Sequence, residues 1–115
     1  MMKLNDLFKN TSYEDTLFSE EAILAVESAV FMKNVKNVDM PYIKCLIRDK
    51  EIKLTPEEAI RQLYIYKLIH EYDYPISRIQ LETPIHFGRE VKRADITIMD
   101  KDRPLVPYII IIQIG

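Results

Sequence analysis

Asp95 is the residue whose placement most asks for a chemical explanation. It lies inside Arg93-Ala94-Asp95-Ile96-Thr97-Ile98-Met99-Asp100, a run that alternates like a strand, and acids are depleted from strand interiors. The plain alternative is a solvated strand face. A second carboxylate, Glu58, is followed one helical turn later by Gln62, and the two share a stripe with Ile65 and Ile69, so a carboxylate and an amide lie near the edge of the core. The plain role of Glu58 is a capping box with Thr55, which on these residues ranks above catalysis. Arg61 reads as a surface partner for Glu57 or Glu58. Glu20, Glu21 and Glu27, at the start and on the outer face of an earlier helix, read as solvated acids without a role. The single cysteine, Cys45, excludes an internal disulfide, and with only His70 and His86 beside it there is no Cys/His zinc constellation. Flanked by Ile43 and Leu46, Cys45 reads as a small buried hydrophobe.

Holding Asp95 and Glu58 in place requires a sheet and a helix. The 115 residues, 48% hydrophobic and 30% charged, suit one soluble domain or part of one. Apolar runs fall short of the roughly 18 residues a membrane span needs, and residues 1–9 lack the basic-then-apolar layout of a signal peptide, so a cytoplasmic, non-membrane protein is expected. A net charge of −2 does not draw the chain to nucleic acid, so any such contact requires a local patch.

Residues 1–18 read as a loosely organised lead-in. Ser19 is an N-cap, and Ile23, Val26 and Val30 at helical spacing predict a helix to about Lys33, followed by a break over residues 34–41. Residues 42–47 and 51–54 then form a short hairpin around Arg48-Asp49-Lys50. Thr55-Pro56-Glu57-Glu58 starts a helix that continues to about Tyr72, and its apolar residues spread almost all the way round, which implies burial on more than one side. From Arg78 the period becomes two: a strand to Gly88, a charged turn from Arg89 to Lys92, and a strand with Ala94, Ile96 and Ile98 on one face and Asp95, Thr97 and Met99 on the other. After a turn at residues 100–104, Tyr108 to Ile112 is apolar on both faces, as expected of a covered central strand. The expectation is an α+β fold: N-terminal helix, short hairpin, central helix, then a mainly antiparallel three-stranded meander.

Read in order, Leu54-Thr55-Pro56-Glu57-Glu58-Ala59-Ile60-Arg61-Gln62, Tyr74-Pro75, Arg93-Ala94-Asp95-Ile96, Asp100-Lys101-Asp102-Arg103-Pro104 and Val106-Pro107-Tyr108-Ile109-Ile110 resemble the N-terminal nuclease domain of type I restriction enzyme R subunits. A similar domain precedes DNA methylase modules in fused restriction-modification proteins. The resemblance covers roughly residues 42 to 111 and implies a partial PD-(D/E)xK restriction-endonuclease-like fold. On that reading residues 1–41 are a helical lead-in. Residues 42–115 are the N-terminal portion of the nuclease domain, lacking its second helix and fourth strand.

What the resemblance implies for the site can be carried across position by position. Asp95 matches the strand acid that binds Mg²⁺, and Glu58 matches a helix acid that supports the metal site. In the family the next strand ends in an acid-x-Lys motif, whose acid shares the metal and whose Lys stabilises charge at the scissile phosphate. Aligned on Val106-Pro107-Tyr108, those positions hold Ile112 and Ile114; shifted by one, Gln113 and Gly115. Gln113 is therefore the candidate at the acid position, a weak metal ligand, and nothing replaces the Lys. The implied chain is a truncated piece of a type I restriction-type DNA endonuclease domain, catalytically incomplete, with residues 112–115 outside the family sequence. Arg89, Lys92 and Arg93 are its candidates for DNA phosphate contacts beside Asp95, although a solvated turn explains them too, since Glu90, Asp100 and Asp102 dilute the patch. The alternative is a non-catalytic protein- or DNA-binding module that keeps the nuclease fold. Expected partners are DNA, other restriction-modification subunits and, through the final strand, a second copy of the chain.

Overall fold

Two helices begin by the same device. Ser19 Oγ accepts the backbone N–H of Ala22, and Thr55 Oγ1 accepts that of Glu58, both at 3.1 Å, so each hydroxyl satisfies a donor that the first helical turn leaves over. A computed structural model describes residues 3–8, 18–45 and 47–111. Its helices are α1 (Leu4–Phe8), α2 (Glu20–Ser28) and α3 (Pro56–His70), with Pro56 at the first helical position of α3 as expected. The lead-in thus contains a short helix that its composition did not suggest.

The α2 helix stops at Ser28, short of Lys33, and the chain continues as a strand, β1 (Val30–Val35). Lys36 and Asn37 both take left-handed φ, 51° and 69°, closing the two-residue hairpin that leads into β2 (Val38–Cys45). The expected break at residues 34–41 is this hairpin. Pairing from Val30↔Ile43 to Val35↔Val38 outweighs a helical continuation whose evidence was the single position Val30. Antiparallel to β2 runs β3 (Lys50–Lys53), as anticipated for the hairpin around residues 48–50, and the first sheet has the order β1-β2-β3.

A short 3-10 turn (Ile76–Arg78) leads into the second sheet, made of β4 (Ile79–Phe87), β5 (Glu90–Met99) and β6 (Pro107–Ile111), an antiparallel meander in the order β4-β5-β6. Here the expectation of α+β architecture holds. The central strand is β5, with Ala94, Ile96 and Ile98 fully buried on one face and Thr97 and Met99 buried on the other. By contrast β6 is not the covered central strand that its apolar run suggested. Ile109 and Ile111 pack against the core, whereas Tyr108 is 62% and Ile110 38% exposed, and among the described residues β6 pairs with β5 on one side. Position 112 lies outside the described residues.

Two apolar clusters meet on α3. Ala59, Ile60 and Leu63 join Leu4, Phe18, Ala22, Val26, Ile43 and Leu54; Ile65 and Leu68 join Ile79, Ile96 and Ile98. That is the physical content of apolar residues spread around the helix: α3 is shared by both sheets. No helix among the described residues is long and apolar enough to cross a membrane.

Candidate functional site

The capping of α3 by Thr55 aims the next carboxylate inward. Glu58 is 6% exposed, and its side chain does not complete a capping box but accepts three hydrogen bonds from side chains. Arg48 Nη2 donates to Oε1 at 2.8 Å, Arg61 Nη1 to the same oxygen at 3.1 Å, and Gln62 Nε2 to Oε2 at 2.9 Å. The expected Glu58–Gln62 neighbourhood is therefore real, and it carries two guanidinium groups as well.

Arg61, a surface partner by its sequence pattern, is 5% exposed. From α3 it reaches across to the second sheet: Nη2 lies 3.6 Å from Asp95 Oδ1, and Nη1 lies 3.7 Å from Glu82 Oε1. Its buried Nε has no hydrogen-bond partner among the described residues, an omission of the kind that costs about 1–3 kcal/mol. Asp95 and Glu58, singled out separately in the sequence, are thus brought together by one arginine. Asp95 is mostly enclosed, its side chain 16% exposed.

Glu82 is the acid that strand alternation hid. It faces Asp95 across the β4–β5 ladder, which pairs Leu81↔Ile96 and Thr83↔Ala94 but skips the position between, where Glu82 adopts a left-handed φ of 54°. Like charges directly opposite each other destabilise a strand pair, and a non-glycine residue in this conformation costs about 1–3 kcal/mol. Arg61, near both carboxylates, supplies the compensating charge. Arg48 adds a second cation, 4.0 Å from Glu82 Oε2. Sequence reasoning left Arg48 in a turn, and no local pattern could have placed it here.

Cys45 is buried, as expected, and its sulfur has a polar partner: Arg48 Nε donates to Sγ at 3.4 Å. Burial pushes the thiol upward, but hydrogen bonds from Arg48 and Gln62 and the Arg48 charge outweigh it and hold the group below its ordinary value. Glu27, expected to be solvated, is buried too: Oε1 accepts the backbone N–H of Leu4 at 3.3 Å, tying α1 to α2.

The remaining candidates lie farther out. Arg89, Lys92 and Arg93 are exposed on the β4–β5 ribbon. Strand alternation puts Arg93 on the face of Asp95, Lys92 on the opposite face, and Arg89 in the turn with Gly88. Gln113 lies outside the described residues.

The family model of the type I restriction enzyme R protein N terminus (HSDR_N) matches residues 56–114, just over half of the 115-residue chain. The chain belongs to this family. Neither curated proteins nor solved structures give a match. The family match takes in Glu58, Arg61, Gln62, Glu82 and Asp95, while Arg48 and Cys45 precede it. It also runs through Ile112, Gln113 and Ile114, so those positions lie within the family sequence, contrary to expectation.

The Mg²⁺ that the resemblance attaches to Asp95 and Glu58 can be tested against the donor set. A divalent cation needs carboxylate oxygens with free lone-pair directions. Here both oxygens of Glu58 accept hydrogen bonds, and Asp95 Oδ1 lies 3.6 Å from the Arg61 guanidinium. Among the described residues no group of three or more His, Cys, Asp or Glu is placed to hold a metal. Among the described residues the arrangement does not fit the ion: three carboxylates, Glu58, Glu82 and Asp95, share two guanidinium groups, Arg48 and Arg61, in one ion-pair network.

Proposed function

We propose that this chain is the nuclease-derived, PD-(D/E)xK-type module of a type I restriction system, working in the cytoplasm on DNA, and that by itself it does not cleave phosphodiesters. The observation that carries the second half is the Arg48–Glu58–Arg61–Asp95 network, in which the acids matched to the metal ligands are paired with guanidinium groups. In the sequence, neither Ile112 and Ile114 nor Gln113 and Gly115 supplies an acid-x-Lys motif, which points the same way. Family membership supports the restriction context. The DNA contact rests on Arg89, Lys92 and Arg93.

Incubation of supercoiled plasmid with the protein and Mg²⁺ or Mn²⁺ tests this reading, with Asp95→Ala as control. No metal-dependent nicking by either protein is expected. Nicking that needs the metal and disappears in Asp95→Ala would overturn the non-cleaving assignment and restore Asp95 and Glu58 as working ligands.

A second reading, a protein-interaction module, is favoured by one observation. The apolar side chains of Tyr108 and Ile110 are exposed on β6, a surface suited to another restriction-modification subunit or a second copy of the chain.

A further inference from the structure

We propose that the outer β4–β5 ribbon, residues 86–93, is an arm that enters the major groove of double-stranded DNA. This rests on the DNA reading above and specifies how the contact is made. Every residue from 86 to 93 is exposed. Within that stretch Arg89, Lys92 and Arg93 stand against the one acid Glu90, whereas the whole chain carries −2. The ribbon is therefore a local positive projection on an acidic molecule.

The distribution of these cations decides the mode. Pairing of Pro84↔Arg93 and His86↔Val91 alternates with Ile85↔Lys92 and Phe87↔Glu90, so Arg93 and Lys92 leave opposite faces of the ribbon. Arg89 sits at the tip, beside Gly88, whose φ of 61° suits the tight turn. A ribbon lying flat on one phosphate strand would use cations on one face. Cations on both faces and at the tip match an element flanked by two phosphate backbones. Paired strands about 4.8 Å apart, with their side chains, suit a major groove about 12 Å wide and not a minor groove about 6 Å wide. Ile85, opposite Lys92, is still buried, so the ladder free of the body is His86↔Val91 and Phe87↔Glu90 with the turn at Gly88 and Arg89, and the arm enters the groove by its tip. Exposed Phe87 and Val91, one on each face, add apolar surface of the kind that meets thymine methyl groups.

The test is fluorescence anisotropy with a labelled 20-base-pair duplex (about two helical turns), without divalent metal, across a salt series. Arg89→Gln, Lys92→Gln and Arg93→Gln should each weaken binding severalfold and make the log–log salt slope shallower by about 0.9. Lys92→Arg should restore it. Methyl green, which occupies the major groove, should displace the protein, and distamycin, which occupies the minor groove, should not. All three positions are exposed, so thermal melts should match the parent chain. Unaltered binding by Lys92→Gln beside a weakened Arg93→Gln would overturn the arm and leave DNA binding on the Asp95 face intact. Displacement by distamycin and not by methyl green would overturn the major-groove mode. If the parent chain binds no duplex even at low salt, both the arm and the DNA reading fall.

Discussion

At the scale of single residues, Glu58 decides the character of the site. Its carboxylate is buried with Arg48, Arg61 and Gln62 as donors, so its removal leaves two guanidinium groups short of a partner in a low-dielectric setting. Glu58→Ala should lower stability by about 3–5 kcal/mol, read from the urea midpoint at neutral pH. Asp95→Ala should cost clearly less, since its oxygen is 3.6 Å from Arg61, which retains Glu58. Equal losses from the two substitutions would show that Asp95 anchors the network as much as Glu58 does. A capping-box role for Glu58 is a reasonable reading of the sequence, because Thr55 does cap α3. The carboxylate turns inward because Arg48, ten positions earlier, meets it there.

At the scale of elements, α3 sets the geometry. Its start is defined by the Thr55 hydroxyl and Pro56, and the same first turn carries Glu58, with Arg61 and Gln62 following on the turn above. Thr55→Ala should therefore cost about 1 kcal/mol in thermal or urea denaturation. No measurable loss would mean that tertiary packing, not the cap, holds the first turn. The ribbon of β4 and β5 is built differently on its two halves. Near the body, Ile96 and Ile98 pack with Ile65 and Leu68 of α3 and Ala94 is fully buried; beyond Ala94 the same strand is exposed on both faces, while Ile85 on its partner strand is still buried. A strand with a buried root and a free tip is an arm held by a core, which is what a groove contact needs.

At the scale of the molecule, two sheets share one helix, and the extents of 44 × 30 × 27 Å describe an elongated body. The radius of gyration is 15.1 Å, against about 13 Å for a typical domain of this length. The strand β6 presents an apolar exposed face through Tyr108 and Ile110. Such a face favours pairing with another chain. Sedimentation velocity over a concentration series should show self-association that Ile110→Lys weakens; an unchanged concentration dependence would place the contact elsewhere.

What the sequence determined by itself is local or ordered along the chain. The start of α3 was legible because Thr55, Pro56 and Glu58 act on backbone groups within one turn, and the meander because alternation is a property of consecutive residues. The ordered motifs from residue 54 to residue 110 pointed to the restriction-subunit family that the match over residues 56–114 shows. What only the tertiary structure decided is pairing at a distance. Val30 serves a strand because β2 offers a partner, β6 is half exposed because the core covers one of its faces, and Arg48, Arg61 and Glu82 converge because α3 crosses between the sheets. Charge partners separated by ten or more residues leave no period in the chain. Only packing brings them within reach, and that packing turned a pair of candidate metal ligands into members of an ion-pair network.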